Sequence, residues 1–82
     1  MKLKFTNKQV EFLKENISEV ETKESREFID TLKASVETET EYDVAIEIAD
    51  ICADIEAEYV MNDENAETPA SIVTMISTHP DY

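Results

Sequence analysis

Residues 39–61 read ETEYDVAIEIADICADIEAEYVM, and this stretch decides the fold class. At about 100° per residue, Glu39, Asp43, Glu47, Asp50, Asp54 and Glu58 fall within one strip about 100° wide. The rest of the circumference is almost wholly apolar: Tyr42, Val44, Ala45, Ile46, Ile48, Ala49, Ile51, Cys52, Ala53, Ile55, Tyr59 and Val60. That arc is about 220° wide, against the ~100° that a one-sided surface helix needs. The pattern predicts one helix of roughly 20 residues, about 30 Å long. Such a helix is expected to be central, packed by several others, or to carry a homodimer interface on its spare apolar surface. Glu56 alone interrupts the arc, and is expected at the edge of a packing contact or paired with a lysine of the first helix.

The flanks of this stretch supply its ends. Thr38 with Glu41, and Thr40 with Asp43, are two overlapping capping boxes, and the acids among residues 37–43 suit the positive end of a helix dipole. Asn62-Asp63-Glu64-Asn65 is expected to end the helix near Met61, with Asn replacing the usual C-cap Gly. Thr68-Pro69 then reads as a cap followed by proline at the first helical position. Ile72, Val73, Met75 and Ile76 predict a last helix over about residues 69–78, stopped by Pro80. A strand through Ser71–Ile76 is the alternative, because Ile and Val also suit β structure.

Toward the N-terminus, Thr6 and Gln9 form a third capping box, with Phe5 and Val10 at the hydrophobic-staple positions. Val10, Leu13, Ile17 and Val20 recur at helical spacing and predict a first helix over about residues 7–19. Phe12 falls on its opposite side, as an exposed aromatic or a second contact. Glu21 to Ser25 is a polar break. Phe28, Ile29, Leu32 and Val36 predict a second helix over about residues 25–36, capped by Ser25 or Thr22. The expected fold is all-α: a small bundle of three to four helices around a long acidic and apolar helix, with residues 1–82 forming a single helical domain.

Composition excludes many functions. The chain has 82 residues, 41% of them hydrophobic, which is near the globular norm and argues against outright disorder. A chain of this size buries roughly 60–65% of its unfolded surface, so the core is small. There is no Gly, which rules out a P-loop or a dinucleotide-binding fingerprint, since both need backbone that only Gly allows close to a phosphate. One Cys and one His, Cys52 and His79, fall short of a zinc ligand set. Asp63-Glu64-Asn65 lacks the turn Gly of a calcium loop. No metal or other cofactor is expected. An acyl-carrier role is excluded, because neither Ser25 (Glu-Ser-Arg) nor Ser71 (Ala-Ser-Ile) stands in an Asp-Ser-Leu context. The N-terminal MKLKFTNKQV lacks the apolar run of a signal peptide, and no stretch approaches the ~18 apolar residues of a membrane span. A single Cys makes no internal disulfide. These features predict a cytoplasmic protein with no membrane association.

The charge is divided along the chain. All seven basic residues lie in residues 1–33, where seven acids balance them. Residues 34–82 hold thirteen acids and no Lys or Arg, so the net charge of −13 resides there. Direct binding of DNA or RNA is disfavoured, because affinity for phosphates comes mainly from Lys and Arg. Within the strip, Glu39/Asp43, Asp43/Glu47, Asp50/Asp54 and Asp54/Glu58 are like-charge pairs at i, i+4, each costing a few tenths of a kcal/mol. A repeated cost of that kind is expected of a binding surface rather than of a solvated face. Six charges over about 28 Å give roughly one per 5 Å, sparser than the ~3.4 Å spacing along one DNA strand. Glu37, Glu41, Asp63, Glu64, Glu67 and Asp81 can supply a second row, and a dimer would double the density.

Catalysis has little support. His79 lies beside Pro80 and is expected to be exposed, and Cys52 on the apolar arc is expected to be a buried, inert thiol with no basic neighbour in sequence to activate it. In charge, size and its acid-striped segment 39–58, the chain resembles the small acidic helical proteins with which phages and mobile elements block DNA-binding enzymes. The likeness rests on those three features and on no motif. It implies a non-enzymatic inhibitor that takes the nucleic-acid site of a restriction, repair or CRISPR-type protein. Glu39, Asp43, Glu47, Asp50, Asp54 and Glu58 would then be the partner-binding residues. The alternatives are a helical interaction module, such as an antitoxin, adaptor or regulator that binds through apolar surface, and a small homo-oligomeric structural protein.

Overall fold

A computed structural model describes residues 1–16, Glu27 and residues 37–82. The order along the described chain is β1 (Lys2–Lys4), α1 (Asn7–Asn16), β2 (Glu37–Glu39), α2 (Tyr42–Met61) and α3 (Glu67–Ser77). The chain is mostly helical, in keeping with the all-α expectation. The predicted second helix over residues 25–36, the polar break before it, and Ile17 and Val20 of the first helix lie outside the described residues, apart from the helical Glu27.

Helix α1 begins where its capping box predicts. The Thr6 backbone N–H donates to Gln9 Oε1 at 2.9 Å, and the Gln9 N–H donates to Thr6 Oγ1 at 3.1 Å. Two donors that the helix itself leaves unpaired are thus satisfied. Replacing Thr6 by alanine is expected to cost about 1 kcal/mol, read as a lower urea midpoint with an unchanged slope. Phe5 and Val10, the staple pair, are both buried. Phe12 is buried too, and makes the second contact, edge-on against Tyr59 of α2 with ring centroids 6.4 Å apart. The Tyr59 hydroxyl reaches Asn16 Oδ1 at 3.4 Å, so the ends of α1 and α2 meet.

Residues 37–43 depart from expectation. The two overlapping caps do not form: Glu37–Glu39 is a strand, and the N-cap of α2 is Glu41, with extended backbone and no side-chain cap bond. The strand pairs antiparallel with β1, setting Lys2 opposite Glu39, Leu3 opposite Thr38 and Lys4 opposite Glu37. Beyond the strands, Met1 and Thr40 exchange two bonds: the Met1 amino group donates to the Thr40 carbonyl at 2.9 Å, and the Thr40 N–H donates to the Met1 carbonyl at 2.8 Å. A capping box is worth only about 1 kcal/mol, whereas pairing satisfies several backbone groups at once and carries Leu3 into the core.

The long helix ends as a Schellman motif. The Glu64 N–H reaches the Tyr59 carbonyl at 2.8 Å and the Asp63 N–H reaches the Val60 carbonyl at 3.3 Å. The left-handed position belongs to Asp63, at φ 56°, rather than to an Asn. Asp is among the few non-Gly residues that visit this region, because its short polar side chain can bond locally.

Helix α3 starts two residues earlier than predicted, and the strand alternative for Ser71–Ile76 is excluded. Asn65 Oδ1 accepts the Glu67 N–H at 2.9 Å, and the first helical bond runs from Ala70 N–H to the Ala66 carbonyl at 3.0 Å. Pro69 therefore sits third in the helix, not first. It is tolerated because the N–H groups of a first turn have no partner inside the helix.

The core gathers Leu3 and Phe5 from the N-terminal strand region, Val10, Phe12 and Leu13 from α1, Val44, Ala45, Ile48, Ala49 and Cys52 from α2, and Ile72 and Ile76 from α3. Among the described helices, α2 and α1 each pack most closely on α3. Gln9 is the buried polar residue of this junction, and its Nε2 donates to Ser71 Oγ across the α1–α3 contact at 3.0 Å.

Candidate functional site

The buried face of α2 positions the acids. Val44, Ala45, Ile48, Ala49 and Cys52 turn toward the core, with Ile51, Ile55 and Tyr59 half-buried beside them. Asp43, Asp50, Asp54 and Glu58 fall about 150° away in helical angle and are exposed. Glu47 belongs to the same strip and is half-buried. These five carboxylates share one face over about 22 Å at ~1.5 Å per residue.

Glu39 is not part of that row. It lies on β2, opposite Lys2, because the helix begins only at Tyr42. Its backbone is held in the strand ladder, away from the face of α2 that carries the other five carboxylates. Glu37 is set opposite Lys4 in the same ladder. The helical carboxylates lie in a segment, residues 34–82, that has no Lys or Arg of its own.

The apolar arc is only partly used. Val44, Ala45, Ile48, Ala49 and Cys52 are covered, whereas Tyr42, Val60 and Met61 remain exposed, Met61 at 84% of its full surface. Tyr42 lies against Tyr82, with ring centroids 6.0 Å apart. Glu56 is half-buried.

Cys52 is fully buried and free. Burial disfavours the thiolate and pushes its pKa from 9.0 to about 12. Nucleophilic chemistry at Cys52 is accordingly suppressed in the folded chain. Because the unfolded thiol ionises first, this group leaves stability untouched below about pH 9 and lowers it as pH rises from 9 toward 12. A thiol reagent at about pH 8 is expected to leave the native chain unlabelled and to label it fully in denaturant. Labelling at equal rates in both conditions would contradict the burial.

His79 differs from its expected exposure. Its side chain retains 18% of its accessible surface, and Nε2 lies 2.8 Å from the Lys2 carbonyl of β1. The Asp81 N–H donates to Nδ1 at 3.0 Å. No signal in the sequence joins positions 2 and 79, which meet only when β1 and the end of α3 pack together.

A cleft of about 220 Å³ opens where α1 and α3 begin, lined by Thr6, Lys8, Gln9, Glu67, Thr68 and Ser71. Its inner polar groups are engaged with one another: Gln9 bonds Ser71, and the Ser71 hydroxyl donates to the Thr68 carbonyl at 2.7 Å. Lys8 and Glu67 bring opposite charges to its rim, so it has no net preference of sign. Among the described residues, no group of three His, Cys, Asp or Glu side chains could hold a metal ion, and no helix is long and apolar enough to cross a membrane. No family model matches the chain, and neither a curated protein nor a solved structure matches it.

Proposed function

We propose that this chain is a non-enzymatic, stoichiometric inhibitor whose acidic face docks on the basic nucleic-acid-binding groove of a partner protein. The observation that carries the reading is the exposed row of Asp43, Asp50, Asp54 and Glu58, continued by Glu47, on one face of a 20-residue helix. Carboxylates in a row present a basic groove with the sign of charge that a phosphate strand presents. Complementary fields speed encounter and make the complex salt-sensitive. The partner would be a restriction, repair or CRISPR-type protein, and the inhibitor a cytoplasmic product of a phage or mobile element. Its scaffold would be a single-domain bundle of three to four helices around α2, with no cofactor. With Glu39 held in the strand pair, the binding residues reduce to Asp43, Glu47, Asp50, Asp54 and Glu58. Acids on neighbouring segments, such as Asp63, Glu64 and Glu67, would supply the rest of the charge.

The test is capture from lysate with tagged chain, followed by elution with competitor duplex DNA and mass spectrometry of the eluate. A DNA-binding enzyme displaced by the duplex supports the reading. A captured partner that ignores both duplex and salt overturns it.

The exposed Tyr42, Val60 and Met61 favour a second reading. In it the chain is a helical interaction module, or a homodimer through α2, and the acids serve solubility. Binding of that kind would persist as salt rises, whereas docking through exposed charges weakens.

A further inference from the structure

The two hydrogen bonds of His79 define one protonation state. The Lys2 carbonyl is an acceptor only, so Nε2 must carry a proton. The Asp81 N–H is a donor only, so Nδ1 must offer its lone pair. The neutral Nε2–H imidazole satisfies both contacts. The imidazolium cannot, because its Nδ1–H would face another N–H. An acceptor for that new proton is the Asp81 carboxylate, 3.9 Å from Nδ1 and beyond hydrogen-bond reach until the turn reseats.

We infer that His79 is a proton-sensitive clasp that joins β1 to the turn following α3. In its neutral form the imidazole bridges the Lys2 carbonyl and the Asp81 N–H. When solvent protonates Nδ1, the Asp81 N–H loses its acceptor and the carboxylate of the same residue takes its place. The Lys2 bond survives, since Nε2–H donates in both states. What moves is the turn, and with it Tyr82, whose N–H donates to the His79 carbonyl at 2.9 Å. Tyr82 lies against Tyr42, the first residue of α2, so the switch reads out one residue from Asp43 at the head of the acidic row. The ionisable groups on the described segments that His79 touches are Asp81 and Tyr82 on its own turn, and the Met1 amino group, Lys2 and Lys4 on the N-terminal segment, with Glu39 across the ladder from Lys2. The inference holds whether or not the acidic row binds a partner.

Ring-nitrogen NMR on the full chain tests it directly. At mildly alkaline pH, His79 is expected to show the Nε2–H tautomer, with Nδ1 unprotonated. On acidification, the Asp81 amide and the Tyr82 and Tyr42 ring resonances are expected to shift in the same transition as the imidazole. In the His79→Phe chain that shared transition is expected to disappear. An Nδ1–H tautomer on the neutral limb would overturn the clasp. So would tyrosine resonances that stay in place while His79 of the unsubstituted chain titrates, a reading that needs no variant to fold.

Discussion

Replacing Asp50 and Asp54 together by lysine is expected to weaken binding to the captured partner by at least about 100-fold while leaving the fold intact. Both carboxylates are exposed, one helical turn apart, in the middle of the row. The double reversal changes the charge of the face by four units, and it sets cations against a cationic groove. Like-charge juxtaposition at an interface costs several kcal/mol, and about 2.7 kcal/mol already corresponds to a hundredfold loss. The effect on stability should be small and of opposite sign. Asp54 and Glu58 repel at i, i+4, and the reversal turns that pair into an attraction, whereas positions 50 and 54 remain like-charged, so the net gain is at most a few tenths of a kcal/mol. Isothermal titration at two salt concentrations, beside a urea melt, separates the terms. An affinity within threefold of the parent chain would rule out the acidic row as the docking surface. Loss of affinity in a chain that still melts cooperatively would be specific to charge.

Truncating Ile72 to alanine is expected to destabilise the domain by about 2–5 kcal/mol. Ile72 is fully buried on α3, the helix on which both α1 and α2 pack most closely. Removing its branched end therefore opens a cavity at a junction rather than at an edge, where neighbours have little freedom to collapse inward. That cost is a large share of the ~5–15 kcal/mol by which a domain is stable. Val60, 62% exposed on α2, is the matched control, and its replacement by alanine should stay within about 0.5 kcal/mol. Urea midpoints compare the two. Equal costs would mean that α3 is not where the core is closed.

Local rules read from the sequence account for much of what is observed. The Thr6–Gln9 box stands as a reciprocal pair of bonds, because it joins residues three apart and no competing pairing displaces it. The long helix follows from a period that persists across twenty residues, and its acidic row follows from the same period. The unreactive setting of Cys52 was legible in the same way, from its place on the apolar arc. Where two local rules competed, the sequence could not rank them. Thr38 and Thr40 suit a cap and a strand alike, and the strand prevailed because Lys2-Leu3-Lys4, more than thirty residues away, offered hydrogen-bond partners in register. That pairing moved Glu39 out of the row. Three-residue strands carry too little alternation to be seen in advance. The start of α3 moved because Asn65 accepts the Glu67 N–H and so supports a helix that begins before the Thr68-Pro69 signal.

The sequence by itself determined the helices with sustained periodicity, their polar and apolar faces, and the concentration of charge in residues 34–82, because each is a property of neighbours within a turn or two. Only the tertiary structure decided which apolar positions are covered, that β1 and β2 meet, that Gln9 reaches Ser71, and that His79 closes on Lys2. Those contacts join residues up to 77 positions apart. Their free energy exists only after the chain has been folded back on itself, so no local pattern of residues encodes it.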